Sequence, residues 1–229
     1  MKLKVDLHIH TNEDISENIS YSAIELIDNA VENGFDALSI TNHNVFTYND
    51  YLKGYAEDRG ILLIPGIELT VSNRHILFIN PANFIREDIT TLDDVRRYKG
   101  DENLIIAPHP FFPCLHSLRE FFSAYIDIFD AVEYTHFYFK MINFNKKAEI
   151  KAREHCLPLV ANSDAHFLNQ FGKTYSLVNA ERNIESIIDS IKNHHVELVT
   201  KPLNVNLTNI SIGLSFVSSS IINMLKKPV

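Results

Sequence analysis

The first strand constrains this chain more than any other stretch. Val5, Asp6, Leu7, His8, Ile9, His10 and Thr11 follow one another near its start. In an extended strand successive side chains face opposite sides. Asp6, His8 and His10 are therefore expected on one face, and Val5, Leu7 and Ile9 on the other. Two imidazoles two residues apart at a strand end can reach one metal ion. One His-x-His is equally at home as two polar residues on a half-exposed strand. Further ligands at other strand ends would decide between these readings.

Such ligands recur. The sequence reads as short apolar strands (3–8, 35–40, 61–64, 67–69, 75–79, 104–107, 131–134, 157–161, 175–178) alternating with helices. That alternation implies a parallel sheet with helical crossovers. Ser20 or Ser22 can cap a first helix carrying Ile24, Ile27, Ala30 and Val31 at helical spacing, with Gly34 to end it. Further helices are expected over 48–59, 92–98, 118–125, 139–155 and 184–192. Nearly every strand is followed by a metal-binding residue type: His8 and His10, His43, Glu68, His109, His136, then Asp164 and His166. Parallel barrels build their active sites at the C-terminal ends of the strands. Scattered histidines would not fall there repeatedly by chance.

Composition narrows the class. A length of 229 residues suits one domain, and the net charge of −8 opposes tight binding to a nucleic-acid backbone or an anionic membrane. Cys114 and Cys156 lie outside any Cys-x-x-Cys spacing, so a disulfide framework is not expected and a cytoplasmic setting is. The first residues lead straight into a strand bearing Asp6 and His8, unlike a signal peptide. No apolar run reaches the roughly 18 residues a membrane span needs. The segment 203–229 differs from the rest: Ile210, Ile212, Leu214, Phe216, Val217, Ile221, Ile222 and Leu225 make it apolar. It is expected to form a helix packed on the main body (1–202) or on a second copy of the chain, a route to a homo-oligomer.

With these residues in view, the chain resembles the polymerase and histidinol phosphatase (PHP) family of metal-dependent phosphoesterases. The resemblance covers roughly 1–200. It rests on Asp6-Leu7-His8-Ile9-His10-Thr11, Thr41-Asn42-His43-Asn44, Pro65-Gly66-Ile67-Glu68, Ala107-Pro108-His109-Pro110, Val132-Glu133-Tyr134-Thr135-His136 and Asn162-Ser163-Asp164-Ala165-His166. Each motif alone is weak; six in order are specific. The resemblance implies an α/β fold, a distorted (β/α)7 TIM-like barrel, with two to three divalent transition metal ions at the strand C-termini. It implies that His8, His10 and Asp164 hold a first metal and that Glu68 bridges it to a second, completed by His109 and His136. His43 and His166 would hold a third, with Asp14 as its carboxylate. Asn42 stands where the family usually has Asp, and Phe112 where some relatives carry a phosphate-touching Arg.

The implied activity is hydrolysis of a phosphate ester by a metal-bridging hydroxide, with Glu68, His109, Asp164 and His166 in the catalytic set. Two metals neutralise the phosphate and acidify water. Histidine and carboxylate ligands suit zinc, manganese or iron. A small phosphorylated metabolite or nucleotide is the expected substrate. The alternatives are a nuclease on the same fold and a non-catalytic metal-binding PHP module. His75 reads either as a neighbour of the substrate or as an ordinary strand histidine. His116, His155, His194 and His195 read as surface residues. Asp6 is expected to orient a ligand from behind.

Overall fold

Ten strands and six α-helices make up the residues described by the computed structural model, 1–81 and 88–203. In chain order they are β1 (Lys2–Ile9), α1 (Ala23–Glu32), β2 (Ala37–Ile40), α2 (Asp50–Asp58), β3 (Leu62–Leu63), β4 (Gly66–Val71), β5 (Arg74–Ile79), α3 (Leu92–Tyr98) and β6 (Leu104–Ala107). Then come α4 (Glu120–Ala124), β7 (Ala131–Thr135), α5 (Asn145–Glu154), β8 (Leu159–Asn162), β9 (Tyr175–Asn179), α6 (Ile184–Lys192) and β10 (Val196–Val199). The expectation for the apolar tail falls on 204–229, outside the described residues. None of the described helices is long and apolar enough to cross a membrane.

The expected barrel is corrected in one respect. The described strands form a mixed α/β fold with two five-stranded sheets, ordered β10-β9-β1-β2-β3 and β4-β5-β6-β7-β8, with no closed ring. Nor are the strands all parallel, and the reason for that lies in the turns. Ser72 and Asn73 both take left-handed backbone, φ 48° and 60°, the conformation of a tight hairpin turn whose twist matches its strands. β5 therefore returns antiparallel to β4 instead of crossing over through a helix. β9 likewise runs antiparallel to β1, and β10, which sequence periodicity did not reveal, runs antiparallel to β9. Two isolated parallel bridges, His43 with Glu68 and Ile9 with Ala165, stitch the two sheets together.

The core follows the strand pattern. One cluster draws Val5, Leu7, Leu77, Ile79, Ile106 and Val160 from both sheets. A second packs Ile67, Phe78, Val95, Phe122 and Ala148 around α3, α4 and α5. The third sets Leu26, Ile27, Leu52 and Ala56 of α1 and α2 against Leu38. The cap expected at Ser22 is present: its hydroxyl accepts from the Glu25 amide, and the Glu25 carboxylate accepts from the Ser22 amide. The long helix expected over 139–155 is only Asn145–Glu154. Asn145 brackets the Thr135 backbone, its Oδ1 accepting from Thr135 N and its Nδ2 donating to Thr135 O. The residues before it form a turn, closed by Phe139 N donating to Ile142 O.

Gly66 shows how tightly the ligand-bearing strands approach. A Cβ there would lie 2.0 Å from Ser39 Oγ and 3.2 Å from Ile79 Cδ1. Gly66→Ala should therefore destabilise the protein by about 1–3 kcal/mol, the range for overpacking. A fall in the urea midpoint at unchanged slope is the expected result; a wild-type midpoint would contradict this packing.

Candidate metal centre

The His-x-His strand is not regular. The pairing register of β1 on β2 shifts between Asp6 and Ile9. Such irregularities re-aim side chains beside functional sites. Ile9 leaves the face of Val5 and Leu7 and joins the core around α1. His8 and His10 nevertheless converge, their Nε2 atoms 3.1 Å apart. Asp164 Oδ1 lies 3.4 Å from each of them.

Glu68 stands in the middle, with only 1 % of its surface exposed. Its Oε2 lies 3.3 Å from His8 Nε2, 3.4 Å from His10 Nε2 and 3.1 Å from His43 Nε2. Its Oε1 lies 2.9 Å from His75 Nδ1 and 3.4 Å from His109 Nε2. Each oxygen thus faces its own group of imidazoles. His166 closes one side: His10, His43 and His166 each offer a ligand atom, all within 4.8 Å of one another. His136 is buried beside this cluster, and neither of its ring nitrogens makes a hydrogen bond of sound geometry. No ion pair with Glu68 or hydrogen bond to His109 was found for it among the described residues.

These spacings fit metal ligands. Two donors about 2.0–2.1 Å from one ion stand about 3.3 Å apart at tetrahedral angles and about 2.9 Å apart at right angles. Most of the contacts to Glu68 fall in that range and are long for charge-assisted hydrogen bonds. Glu68 Oε1, His75 Nδ1 and both His136 nitrogens are buried without a hydrogen bond. Orphaned atoms of this kind are rare in a core and suit an ion that supplies the missing partner.

A second layer of carboxylates aims the rings. Glu133, fully buried, takes His8 Nδ1 on Oε1 at 2.8 Å and the His109 amide on Oε2 at 2.8 Å. Asn162 donates to the same carboxylate and accepts from Leu7 N, tying β8 to β1. Asp14 Oδ2 meets Nδ1 of His10 at 3.1 Å and of His43 at 2.7 Å, and accepts from His43 N. Asp14 thus sits on the Nδ1 side of both rings, leaving their Nε2 atoms for the centre, an arrangement typical of metal-binding histidines. Asp6 accepts from the amides of His8 and Ser163. Asn42 accepts from Thr11 N and donates to the hydroxyls of Thr11 and Thr47, so its amide is satisfied in place of a carboxylate. The roles of Glu133 and Asn162 were not assigned from sequence. Both sit inside motifs that were read there, Glu133 three residues before His136 and Asn162 two before Asp164.

Electrostatics follow from burial. Burial alone would raise Glu68, yet the imidazoles of His75, His8 and His43 hold it well below the usual carboxylate range. Burial works against a charged His8, but Glu133, Asp164 and Glu68 hold it well above the ordinary histidine value. His10 behaves alike and is raised to about 8, its burial outweighed by Asp14 and Asp164. Burial depresses His75 to about 4, and burial with the His10 charge depresses His166 to about 4. Burial lifts Asp6 to about 7 against the amides of Ser163 and His8. His109 and Asp164 both take left-handed backbone, φ 29° and 46°. Strain of this kind persists at functional sites where the surroundings enforce it.

The chain is similar to several known proteins. A PHP-associated family model matches residues 143–196. The chain is 25 % identical over 134 residues to an uncharacterized protein of Methanocaldococcus jannaschii, covering 52 % of this chain and 74 % of that one. It superposes with TM-score 0.69 and 20 % identity on a two-domain protein of Bacteroides vulgatus that contains a predicted PHP-like metal-dependent phosphoesterase, covering 94 % of this chain and 70 % of that one. The chain has a PHP-like fold and carries a PHP-associated segment. The lesion-specific endonuclease EndoQ of Pyrococcus furiosus is similar in the same way, with TM-score 0.59 and 18 % identity, covering 86 % of this chain and 58 % of that one.

Two outcomes follow for the metal-free protein. His8 and His10 gain protons on folding, so their stabilising contribution is fully present below about 6.5, the unfolded histidine value. It is lost as pH rises through the folded value, about 8 for His10. Metal needs both rings neutral, so affinity should rise over the same window and binding should release protons. Calorimetry in buffers of different ionisation heat would show it; pH-independent affinity would not fit. Glu133→Gln should weaken metal binding about 10–100-fold, as for other partners of ligating histidines. Competitive chelator titration measures this.

Proposed function

We propose that the chain is a metal-dependent phosphoesterase acting on a small phosphorylated metabolite or nucleotide. The observation that carries this reading is the division of labour on Glu68, whose two oxygens face two separate sets of imidazoles. A carboxylate so placed can bridge two ions. His8, His10 and Asp164 would hold the first with Glu68, and His109 and His136 the second. His43 and His166 would hold the third; Asp14, the carboxylate expected as its further ligand, lies on the Nδ1 side of the His43 and His10 rings and would orient them. The donor set is imidazole and carboxylate, and no cysteine belongs to the ligand clusters of the described residues, which favours zinc, manganese or iron over thiolate-seeking ions. Bound ions would supply charge neutralisation for the phosphate oxygens and a water acidified to a pKa near about 7.

The chain's own residues supply the rest. Glu133 and Asp14 fix the rings of His8, His10 and His43 before substrate arrives, so little reorganisation is left for the reaction. The side chains of Asp164 and His166 are 21 % and 16 % exposed, against 0 % for His8 and His10. The ester is therefore read as entering from the Asp164 and His166 side, with His166 nearest the leaving oxygen. Phe112, Phe137 and Tyr138 follow the ligand positions and are almost wholly buried, a wall that keeps water away. The catalytic set is Glu68, His109, Asp164 and His166.

Charge favours a small ester. A polyanion would meet repulsion from a protein of net charge −8 at each phosphate away from the metals. A nuclease is the second reading, supported by the likeness to EndoQ, whose structure is known with a 27-mer duplex substrate carrying an abasic lesion. Turnover of mononucleotides and sugar phosphates against single-stranded and abasic duplex oligonucleotides, at physiological salt, decides between them. Efficient oligonucleotide cleavage with negligible action on small esters would promote the nuclease. Glu68→Ala and His109→Ala should each abolish turnover of bis(p-nitrophenyl) phosphate and lower bound metal, with far-UV circular dichroism unchanged. Activity within a few-fold of wild type would overturn the mechanism.

A further inference from the structure

We propose that His75 is itself a metal ligand, through Nδ1, at the position shared by Glu68 Oε1 and His109, and that His116 is the residue that holds it there. The proposal rests on the metal-dependent reading above and extends its ligand set. His75 lies on β5, the antiparallel return strand, opposite Thr70. Its Nδ1 approaches Glu68 Oε1 to 2.9 Å, yet neither atom makes a hydrogen bond of sound geometry, and both are buried. The two atoms attract each other as an ion pair but are not aligned for a good hydrogen bond, a contact that a core rarely leaves in that form. One ion touching both would satisfy them, because about 2.9 Å is the separation of two ligands at right angles on a metal of this size. His43, Glu68 and His75 each offer a ligand atom within 4.8 Å of the other two.

His116 explains why the ring stays in that orientation. The two rings are stacked, with centroids 4.6 Å apart and planes 7° apart. His75 N donates to His116 O at 2.9 Å, and His116 Nδ1 lies 3.3 Å from Asn73 O in the hairpin turn. The loop that begins at His109 thus returns across the β4–β5 hairpin and clamps it. On its other side the His75 ring meets that of His43, with centroids 4.9 Å apart. A ring held between two others has little rotamer freedom left. His116 is accordingly a positioning residue that acts through His75.

The test uses the full chain, stripped with chelator and titrated with Mn²⁺ or Zn²⁺ by calorimetry, with metal content read after desalting and the absorption spectrum read after Co²⁺ loading. His75→Ala should lose one ion, or weaken it at least 10-fold, and alter the cobalt spectrum, while the remaining ions stay within a few-fold of wild type. His116→Ala should weaken the same ion several-fold, and His116→Phe, which keeps a stacking ring, should restore it. Wild-type stoichiometry, affinity and cobalt spectrum in His75→Ala would overturn the ligand. Equal weakening in His116→Ala and His116→Phe, or none in either, would overturn the positioning role. Hydrolysis of bis(p-nitrophenyl) phosphate by the wild-type chain separates this from the broader reading. Turnover without any dependence of metal binding on His75 refutes only the ligand. Dependence on His75 without turnover of any ester refutes only the hydrolase. A wild-type chain that binds no metal refutes both.

Discussion

Everything at this centre depends on placing one carboxylate, Glu68, out of water and among imidazoles. Burying a charge is costly unless partners surround it. Here five ring nitrogens, from His8, His10, His43, His75 and His109, lie between 2.9 and 3.4 Å from its oxygens. The backbone does its share. Asn44 N donates to Glu68 O. The Asn44 side chain accepts from Thr70 N and donates to Thr70 Oγ1. A left-handed Asn44, φ 56°, turns the loop after β2 so that it pins β4 from the side. The same contact carries the His43–Glu68 bridge that joins the two sheets. The backbone that carries His43 and Glu68 is therefore also a junction between the two sheets.

The outer carboxylates make the inner imidazoles useful. A histidine presents two nitrogens, and which one meets the centre is set by what occupies the other. Glu133 occupies Nδ1 of His8, and Asp14 occupies Nδ1 of His10 and His43. All three rings consequently turn Nε2 inward. Glu133 also accepts the amide of His109, where the backbone is left-handed, and Asp164 N donates to His8 O in a second left-handed position. These strained positions are held by groups on other strands, so the strain is offset by contacts made elsewhere in the fold.

Much of this was legible in the residues themselves. The alternation of β1, the capping residues of α1, the strand at Leu104–Ala107 and the helices Leu92–Tyr98 and Ile184–Lys192 are local patterns, set by side-chain period and end chemistry. Of the residue types that recur after apolar strands, the fold brings His8, His10, His43 and His109 against Glu68, and His75 joins them from a strand that offered no such signal. The helix expected over 139–155 begins only at Asn145. The true start, at Asn145, is fixed by hydrogen bonds to Thr135, a partner that periodicity does not reveal.

Donor chemistry and strand period are properties of short stretches, so which residue types could bind metal, and their place at strand ends, can be read from local sequence. How they meet cannot. The bulge in β1, the antiparallel return of β5 and the two-sheet division depend on backbone pairing across the chain. His8 finds Glu133 across 125 positions of sequence, and that distance is closed only when both sheets are formed. The place of His75 was open for the same reason. A strand histidine can face solvent, substrate or core, and the choice was made by the ring of His116 and the buried oxygen of Glu68.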